Sequence, residues 1–348
     1  MGSRLNVELF GRSFKNPVWP ASGCFGYGRE FAGHLDLSQI GAICVKGTSP
    51  EPWLGNSGTR VVETPGGMLN AIGLQNPGID HFLHVDWPWL QSVGATVIVN
   101  IVGRTVEEYV EVARRLEGSG VAAVELNISC PNVKEGGLAF GTSVKGASEV
   151  TAAVRQATSL PLIVKLSPNV TNIVDMALAV ESAGADAVSV INTLLGMSID
   201  IRKRRPVLGN LFGGLSGPGI KPVALRMVWQ VAGAVKIPVI GIGGIMTGED
   251  AVEFLMAGAS AVQVGTACFV NPRAPLTIAE EIEAFMEANG YGRVGELVGA
   301  ARPTAGAEGN LPKLGEAVPL PVAKPPIKKA TGETADALRQ FLKDSDRA

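Results

Sequence analysis

The feature that most constrains this chain is an alternation. Eight short runs rich in β-branched and small apolar residues recur along it: Val18 to Ala21, Ala42 to Lys46, Thr96 to Ile101, Ala122 to Ile128, Pro161 to Leu166, Ala187 to Asn192, Pro238 to Gly243 and Ala261 to Gly265. Longer amphipathic stretches separate them. In Thr105 to Glu117, Val106, Tyr109, Val110, Ala113 and Leu116 recur at helical spacing. Asn172 to Ser182 and Ala251 to Ala257 behave alike, each stopped by a Gly-Ala pair, Gly184-Ala185 and Gly258-Ala259, before the next strand. Apolar runs joined through helices mark parallel strands buried on both faces. Eight such units over roughly 250 residues match an α/β TIM (β/α)8 barrel, with a doubly wound sheet as the alternative.

Composition narrows the classes further. With 46% hydrophobic residues and a mean hydropathy of +0.24, a chain of 348 residues has ample material for a core, which excludes global disorder. Thirty basic side chains against 32 acidic ones give a formal charge of −2 and no cationic field for a nucleic acid. The four cysteines, Cys24, Cys44, Cys130 and Cys268, never form C-x-x-C, so no clustered zinc or iron-sulfur site and no metal are expected. Free thiols, the lack of an apolar leader and the lack of an uncharged apolar run of membrane length predict a soluble cytoplasmic chain.

The texture changes after about Ala301, where Pro303, Pro312, Pro319, Pro321, Pro325 and Pro326 interrupt any regular element. Residues 1–301 are therefore read as the barrel domain and 302–348 as a proline-rich extension. The extension is expected to be a linker plus a short helix over Thr334 to Lys343, with Leu338, Phe341 and Leu342 on one side. Two strand-to-helix connections are long, Gly47 to Ala95 and Leu194 to Ile237, and insertions of that length in a barrel cover a site.

Catalytic residues of barrels sit at the carboxyl ends of the strands. Here those ends carry Ser22, Lys46, Asn100, Asn127, Lys165, Asn192 with Thr193, Gly243-Gly244 and Gly265-Thr266. Each alone reads as a cap or turn residue; together they predict a polar mouth. The glycines of Gly241-Ile242-Gly243-Gly244 and Gly265-Thr266 would offer backbone N–H groups to a phosphate, with Gly213 to Gly219 as flexible backbone nearby. Lys46 and Lys165 are costly at a barrel mouth unless an anion or electron-rich ligand faces them. Period-two alternation turns Glu125 inward with Asn127, about 7 Å deeper, where it reads as a Glu-Lys pair that maintains the core. Cys24, Cys44 and Cys268 read as core residues. Cys130 differs, lying in a loop between Asn127 and Asn132. His34, His81 and His84 are not at strand ends, so a general base fits Cys130 better than a Cys-His nucleophile.

Five segments, Asn127-Ile-Ser-Cys-Pro-Asn132, Leu69-Asn-Ala-Ile-Gly-Leu-Gln-Asn-Pro-Gly78, Lys165-Leu-Ser-Pro-Asn169, Gly214-Leu-Ser-Gly-Pro-Gly219 and Gly241-Ile-Gly-Gly244, resemble those of the dihydroorotate dehydrogenases, specifically the class 1B catalytic subunits, over residues 4 to about 300. The resemblance implies FMN-dependent oxidation of dihydroorotate to orotate in pyrimidine biosynthesis. It assigns Ser22, Lys46, Gly47, Asn100, Asn127, Lys165, Ile191, Gly217, Gly243, Gly244, Gly265 and Thr266 to FMN, with Lys165 facing the ring where negative charge develops on reduction. It assigns Lys46, Asn70, Ala71, Ile72, Gly73, Leu74, Asn127, Asn132, Asn192 and Thr193 to the substrate. Cys130 becomes the base that removes the C5 proton while hydride leaves C6 for flavin N5. The implied assembly is a homodimer flanked by two electron-transfer subunits, which carry FAD and an iron-sulfur cluster and pass electrons to NAD. A fumarate-using class 1A enzyme and a barrel enzyme of a phosphorylated metabolite are the alternatives, and a noncatalytic scaffold with a partner-recruiting tail is a third.

Overall fold

The computed structural model describes residues 3–129 and 140–303. Cys130, Asn132 and the helix expected over Thr334 to Lys343 lie outside the described residues. Residues up to Arg302 form one compact unit.

The eight apolar runs are eight strands: β1 (Val18–Pro20), β2 (Ile43–Thr48), β3 (Val97–Ile101), β4 (Ala123–Asn127), β5 (Leu162–Lys165), β6 (Ala187–Val190), β7 (Val239–Ile242) and β8 (Ala261–Val264). Each pairs in parallel with its neighbour in the order β1-β8-β7-β6-β5-β4-β3-β2, which is the connectivity of a TIM barrel. At the β1–β2 seam, Asn16 Nδ2 donates to the Gln39 carbonyl at 2.9 Å. β1 and β3 to β8 are buried along their whole length, which is why they read as unbroken apolar runs rather than alternating ones.

The helices begin where capping chemistry puts them. Thr105 caps Val106–Leu116 by accepting from Glu108 N, and Tyr109, Val112, Ala113 and Leu116 form its buried stripe. Asn172 caps Ile173–Ser182. The helix expected from Ala251 runs instead over Gly248–Met256, opened by a capping box between Thr247 and Asp250.

The two long connections meet. Val61–Thr64 and Gly67–Asn70 from the first, with Leu194–Gly196 and Gly213–Ser216 from the second, build a four-stranded antiparallel sheet. This corrects the reading of Gly213 to Gly219 as loose backbone, because Gly213–Ser216 is an inner strand. Its glycines serve close approach: a Cβ on Gly213 would come within 2.7 Å of the Asn70 carbonyl oxygen, and one on Gly214 would overlap the Thr193 side chain.

Candidate functional site

The site starts from one buried acid. Glu125 on β4 is fully buried and accepts from four side chains on four other strands. Oε1 takes Asn100 Nδ2 at 2.7 Å and Cys44 Sγ at 3.2 Å; Oε2 takes Gln263 Nε2 at 2.7 Å and Ser189 Oγ at 3.0 Å. Lys165 Nζ stands 3.6 Å from Oε1 and donates to Ser22 Oγ at 3.3 Å. Burial alone would raise the carboxyl pKa. The Lys165 ammonium, with the Gln263, Cys44 and Asn100 donors, outweighs it and holds Glu125 below the ordinary carboxylate range. Gln263 Oε1 is buried without a partner among the described residues. Such an orphan costs about 1–3 kcal/mol, so the amide is turned to serve the carboxylate at the expense of its own oxygen.

A relay of amides runs on from there. Asn127 Nδ2 donates to Asn100 Oδ1 at 3.3 Å, and Asn127 Oδ1 accepts from Ser129 N at 3.2 Å and Ser129 Oγ at 2.9 Å. Asn192 Nδ2 donates to Ser129 Oγ at 2.7 Å, and Thr193 N donates to Asn192 Oδ1 at 2.7 Å. Tyr109 Oη donates to the Asn127 carbonyl at 2.9 Å, tying the preceding helix, Val106–Leu116, to the end of β4. Asn169 secures the far side, donating to the Thr193 carbonyl at 3.1 Å and accepting from Leu195 N at 2.9 Å. The expected residues Ser22, Asn100, Asn127, Lys165, Asn192 and Thr193 thus belong to one hydrogen-bonded network. Ser129, Asn169, Gln263 and Ser189 belong to it too and were not among the candidates.

Lys46, on β2, is half-buried, and burial lowers its pKa. Cys24 is half-buried as well, not a plain core residue like Cys44 and Cys268; burial raises its thiol, while Lys165 and Lys46 pull it back. Gly47 lies against Asn100 and Leu74, since a Cβ there would stand 3.1 Å from Asn100 Oδ1 and 3.6 Å from Leu74 Cδ2. The Ala71–Leu74 segment is therefore at the same rim. Asn56 holds it, with N donating to the Ile72 carbonyl at 2.9 Å and Nδ2 to the Ala71 carbonyl at 3.0 Å. Asn76 Nδ2 donates to the Leu74 carbonyl at 2.8 Å. Asn70 Nδ2 donates to the Gly214 carbonyl at 3.3 Å across the accessory sheet.

The second group is a glycine cradle after β7 and β8. Gly243 and Gly244 have φ of 125° and 78°, in the region other residues avoid. A Cβ on Gly243 would also stand 2.7 Å from Ala224 Cβ. Gly243 carries Ile191 beside it, and Gly217 packs near Thr266, whose Oγ1 donates to Ser216 Oγ at 2.8 Å. Among the described residues, no hydrogen bond uses the backbone N–H of Gly243, Gly244, Gly265 or Thr266. A shallow cavity of about 210 Å³ on the accessory sheet, lined by residues such as Thr64, Leu69, Met197 and Leu215, holds no titratable side chain. The chemistry therefore belongs to the rim.

A parallel eight-stranded barrel with two lysines, a chain of amides and open backbone donors at its mouth is a barrel enzyme built for an anionic, amide-bearing ligand. The family model for dihydroorotate dehydrogenase matches residues 4–286, and the chain belongs to that family. It is 62% identical over 297 residues to the dihydroorotate dehydrogenase B (NAD(+)) catalytic subunit of Geotalea uraniireducens, a match covering 85% of this chain and 97% of that one. It is 60% identical over 302 residues to the protein of the same description from Desulforamulus reducens, covering 86% and 99%. Among solved structures, an Eimeria tenella dihydroorotate dehydrogenase in complex with ferulenol superposes with a TM-score of 0.72 at 23% identity, covering 87% of this chain and 90% of that one, a likeness of fold.

Proposed function

We propose that this chain oxidises dihydroorotate to orotate in pyrimidine biosynthesis, as a catalytic subunit that uses FMN and passes electrons to NAD through a partner subunit. The observation that carries the reading is Lys165. Its ammonium is held between Glu125 and Ser22 at the mouth, beside the Asn100–Asn127–Ser129–Asn192 amide relay. A cation fixed there answers a ring that gains negative charge, and amides answer a ring of alternating donors and acceptors. The residues fit FMN: the unengaged N–H groups of Gly243, Gly244, Gly265 and Thr266 suit its phosphate, and the Lys165 rim suits its ring. When bound, FMN supplies the two-electron acceptor for the hydride that leaves C6 of the substrate.

The protein's own residues do the rest. Asn70, Asn127, Asn132 and Asn192 orient the pyrimidine precursor, Lys46 meets its carboxylate, and the Ala71–Leu74 backbone closes one side. Cys130 takes the C5 proton. The partner is an iron-sulfur flavoprotein carrying FAD, in an assembly of two catalytic and two electron-transfer chains around a catalytic homodimer. No helix among the described residues is long and apolar enough to cross a membrane, and a cytoplasmic location is part of the proposal.

Anaerobic mixing with dihydroorotate tests it. The purified protein should be yellow and bleach, and Cys130→Ala should keep its flavin but lose 10²- to 10⁴-fold in reduction rate, the range a positioned base supplies. Undiminished reduction in Cys130→Ala removes Cys130 from the role. Reoxidation of the isolated chain by fumarate points to class 1A behaviour, and efficient NAD reduction without a partner removes the partner requirement.

A further inference from the structure

Glu125 reads from the sequence as a core-maintaining partner of Lys165, and the structure gives it more to do. One carboxylate receives donors from β2, β3, β5, β6 and β8: Cys44, Asn100, Lys165, Ser189 and Gln263. Lys165 is 4% exposed and Glu125 not at all. Among the described residues the only carboxylate in an ion pair with Lys165 is that of Glu125, and a buried ammonium without its countercharge is strongly disfavoured. Every hydrogen-bonding group arrayed on Glu125 points a donor at it, so the surroundings are built for the ionised form. Gln263 leaves its own oxygen bare to keep that geometry. A pair needed only to fill the core would not require contacts from five strands, since apolar residues of similar volume fill cores as well or better.

We propose that Glu125 is a positioning residue for the redox site: it sets the place of the Lys165 ammonium and cancels part of its field, and so tunes the electron affinity of a flavin bound at the mouth. Glu125 acts through Lys165 and touches neither substrate nor ring. This rests on the FMN reading above and deepens it, because the charge below the site becomes a carboxylate–ammonium pair rather than a lone cation. Replacing the carboxylate by an amide leaves one net buried positive charge. Reduction places negative charge on the bound ring, so that lone cation favours the reduced form.

The experiment compares flavin midpoint potential, by equilibration with a reference dye, and sulfite affinity in the parent, Glu125→Gln, Glu125→Asp and Lys165→Met proteins. In Glu125→Gln the potential should rise by an amount equal to at least a tenfold shift in the reduction equilibrium, about 30 mV for a two-electron couple. Sulfite, an anion that adds to the ring, should bind at least tenfold tighter. Glu125→Asp, which keeps the charge, should stay within threefold of the parent on both scales. Introducing Glu125→Gln into Lys165→Met should produce less than a third of its effect in the parent on a logarithmic scale, because a buried carboxyl stripped of its ammonium takes up a proton and the amide then replaces a neutral group. A purely structural carboxylate lowers melting temperature and flavin retention in both Glu125 variants and moves neither potential nor sulfite affinity; that result overturns the inference. If Glu125→Gln fails to fold, Glu125→Asp decides with Gln263→Leu, which keeps the charge but frees the carboxylate from one donor. The inference then requires a measurable shift in potential in Gln263→Leu exceeding that in Glu125→Asp, and equal potentials overturn it. A parent that binds no flavin overturns the proposed function and this inference together. A parent that bleaches with dihydroorotate, with unshifted variants, overturns this inference alone.

Discussion

Replacing Ser129 by alanine removes one atom from the middle of the amide relay. Ser129 is fully buried, and its hydroxyl donates to Asn127 Oδ1 at 2.9 Å while accepting from Asn192 Nδ2 at 2.7 Å. Without it, Asn127 Oδ1 keeps only the longer bond from Ser129 N at 3.2 Å, and Asn192 Nδ2 loses the partner shown for it. A net hydrogen bond is worth about 1 kcal/mol and a buried orphan costs about 1–3 kcal/mol. The loss should therefore be about 2 kcal/mol, lowering the melting temperature by roughly 4–8 °C for a domain of a few hundred residues, nearer the smaller value for one this large. Asn192 then keeps only the bond from Thr193 N at 2.7 Å, and in the proposed function it is less firmly held toward the substrate. If half of that energy, about 1 kcal/mol, serves to orient it, kcat/KM for dihydroorotate falls roughly fivefold, since about 1.4 kcal/mol is tenfold. Thermal melts and steady-state kinetics on the same preparation read both quantities. An unchanged melting temperature refutes the bonding argument, and a lowered melting temperature with unchanged kcat/KM refutes the link from Ser129 to the substrate.

Three other outcomes follow. Glu125 is held below its ordinary range, so its stabilisation is fully present above the unfolded value near 4.3 and is lost as pH falls through the depressed folded value. Acid unfolding of the parent should therefore steepen below about pH 4, and a folded Glu125→Gln variant should show a flatter acid limb. Burial pushes the Cys44 and Cys268 thiols well above the usual range; mass spectrometry after native iodoacetamide treatment should find both unmodified, and rapid labelling of either would contradict the packing. Removing residues 304–348 should leave dihydroorotate-dependent flavin bleaching and the melting temperature within error, because residues up to Arg302 form a compact unit by themselves, in which the Arg302 guanidinium binds the Trp229 and Ala257 carbonyls at 2.7 and 3.0 Å. A loss of bleaching would give the extension a role in the site.

The barrel was legible because parallel strands covered on both faces are continuous apolar runs, and because the helix starts at Thr105 and Asn172 carry their own caps. The accessory sheet was not. Its strands are three or four residues long, too short to show a clear period, and several carry glycine; its decisive pairing, Asn70 with Gly214, spans 144 positions, which no local pattern can encode. The start of Gly248–Met256 was missed for a related reason, since Thr247 and Asp250 are polar and precede the apolar stripe.

The mouth was legible wherever a polar residue ends a strand, and that rule is also why its lower half was missed. Asn100, Asn127 and Lys165 sit at strand ends; Ser189 and Gln263 lie inside apolar runs, where a single polar letter looks like a concession to solubility. Burial removes that reading. A serine and a glutamine with no exposure, inside strands covered on both faces, must spend their donors within the barrel. An acceptor has to be there to receive them, and Glu125 is the inward carboxylate that does. The two misplaced letters in β6 and β8 and the acid in β4 are one signal read three times: a barrel interior organised around a negative charge, with the cation of Lys165 set beside it at the rim.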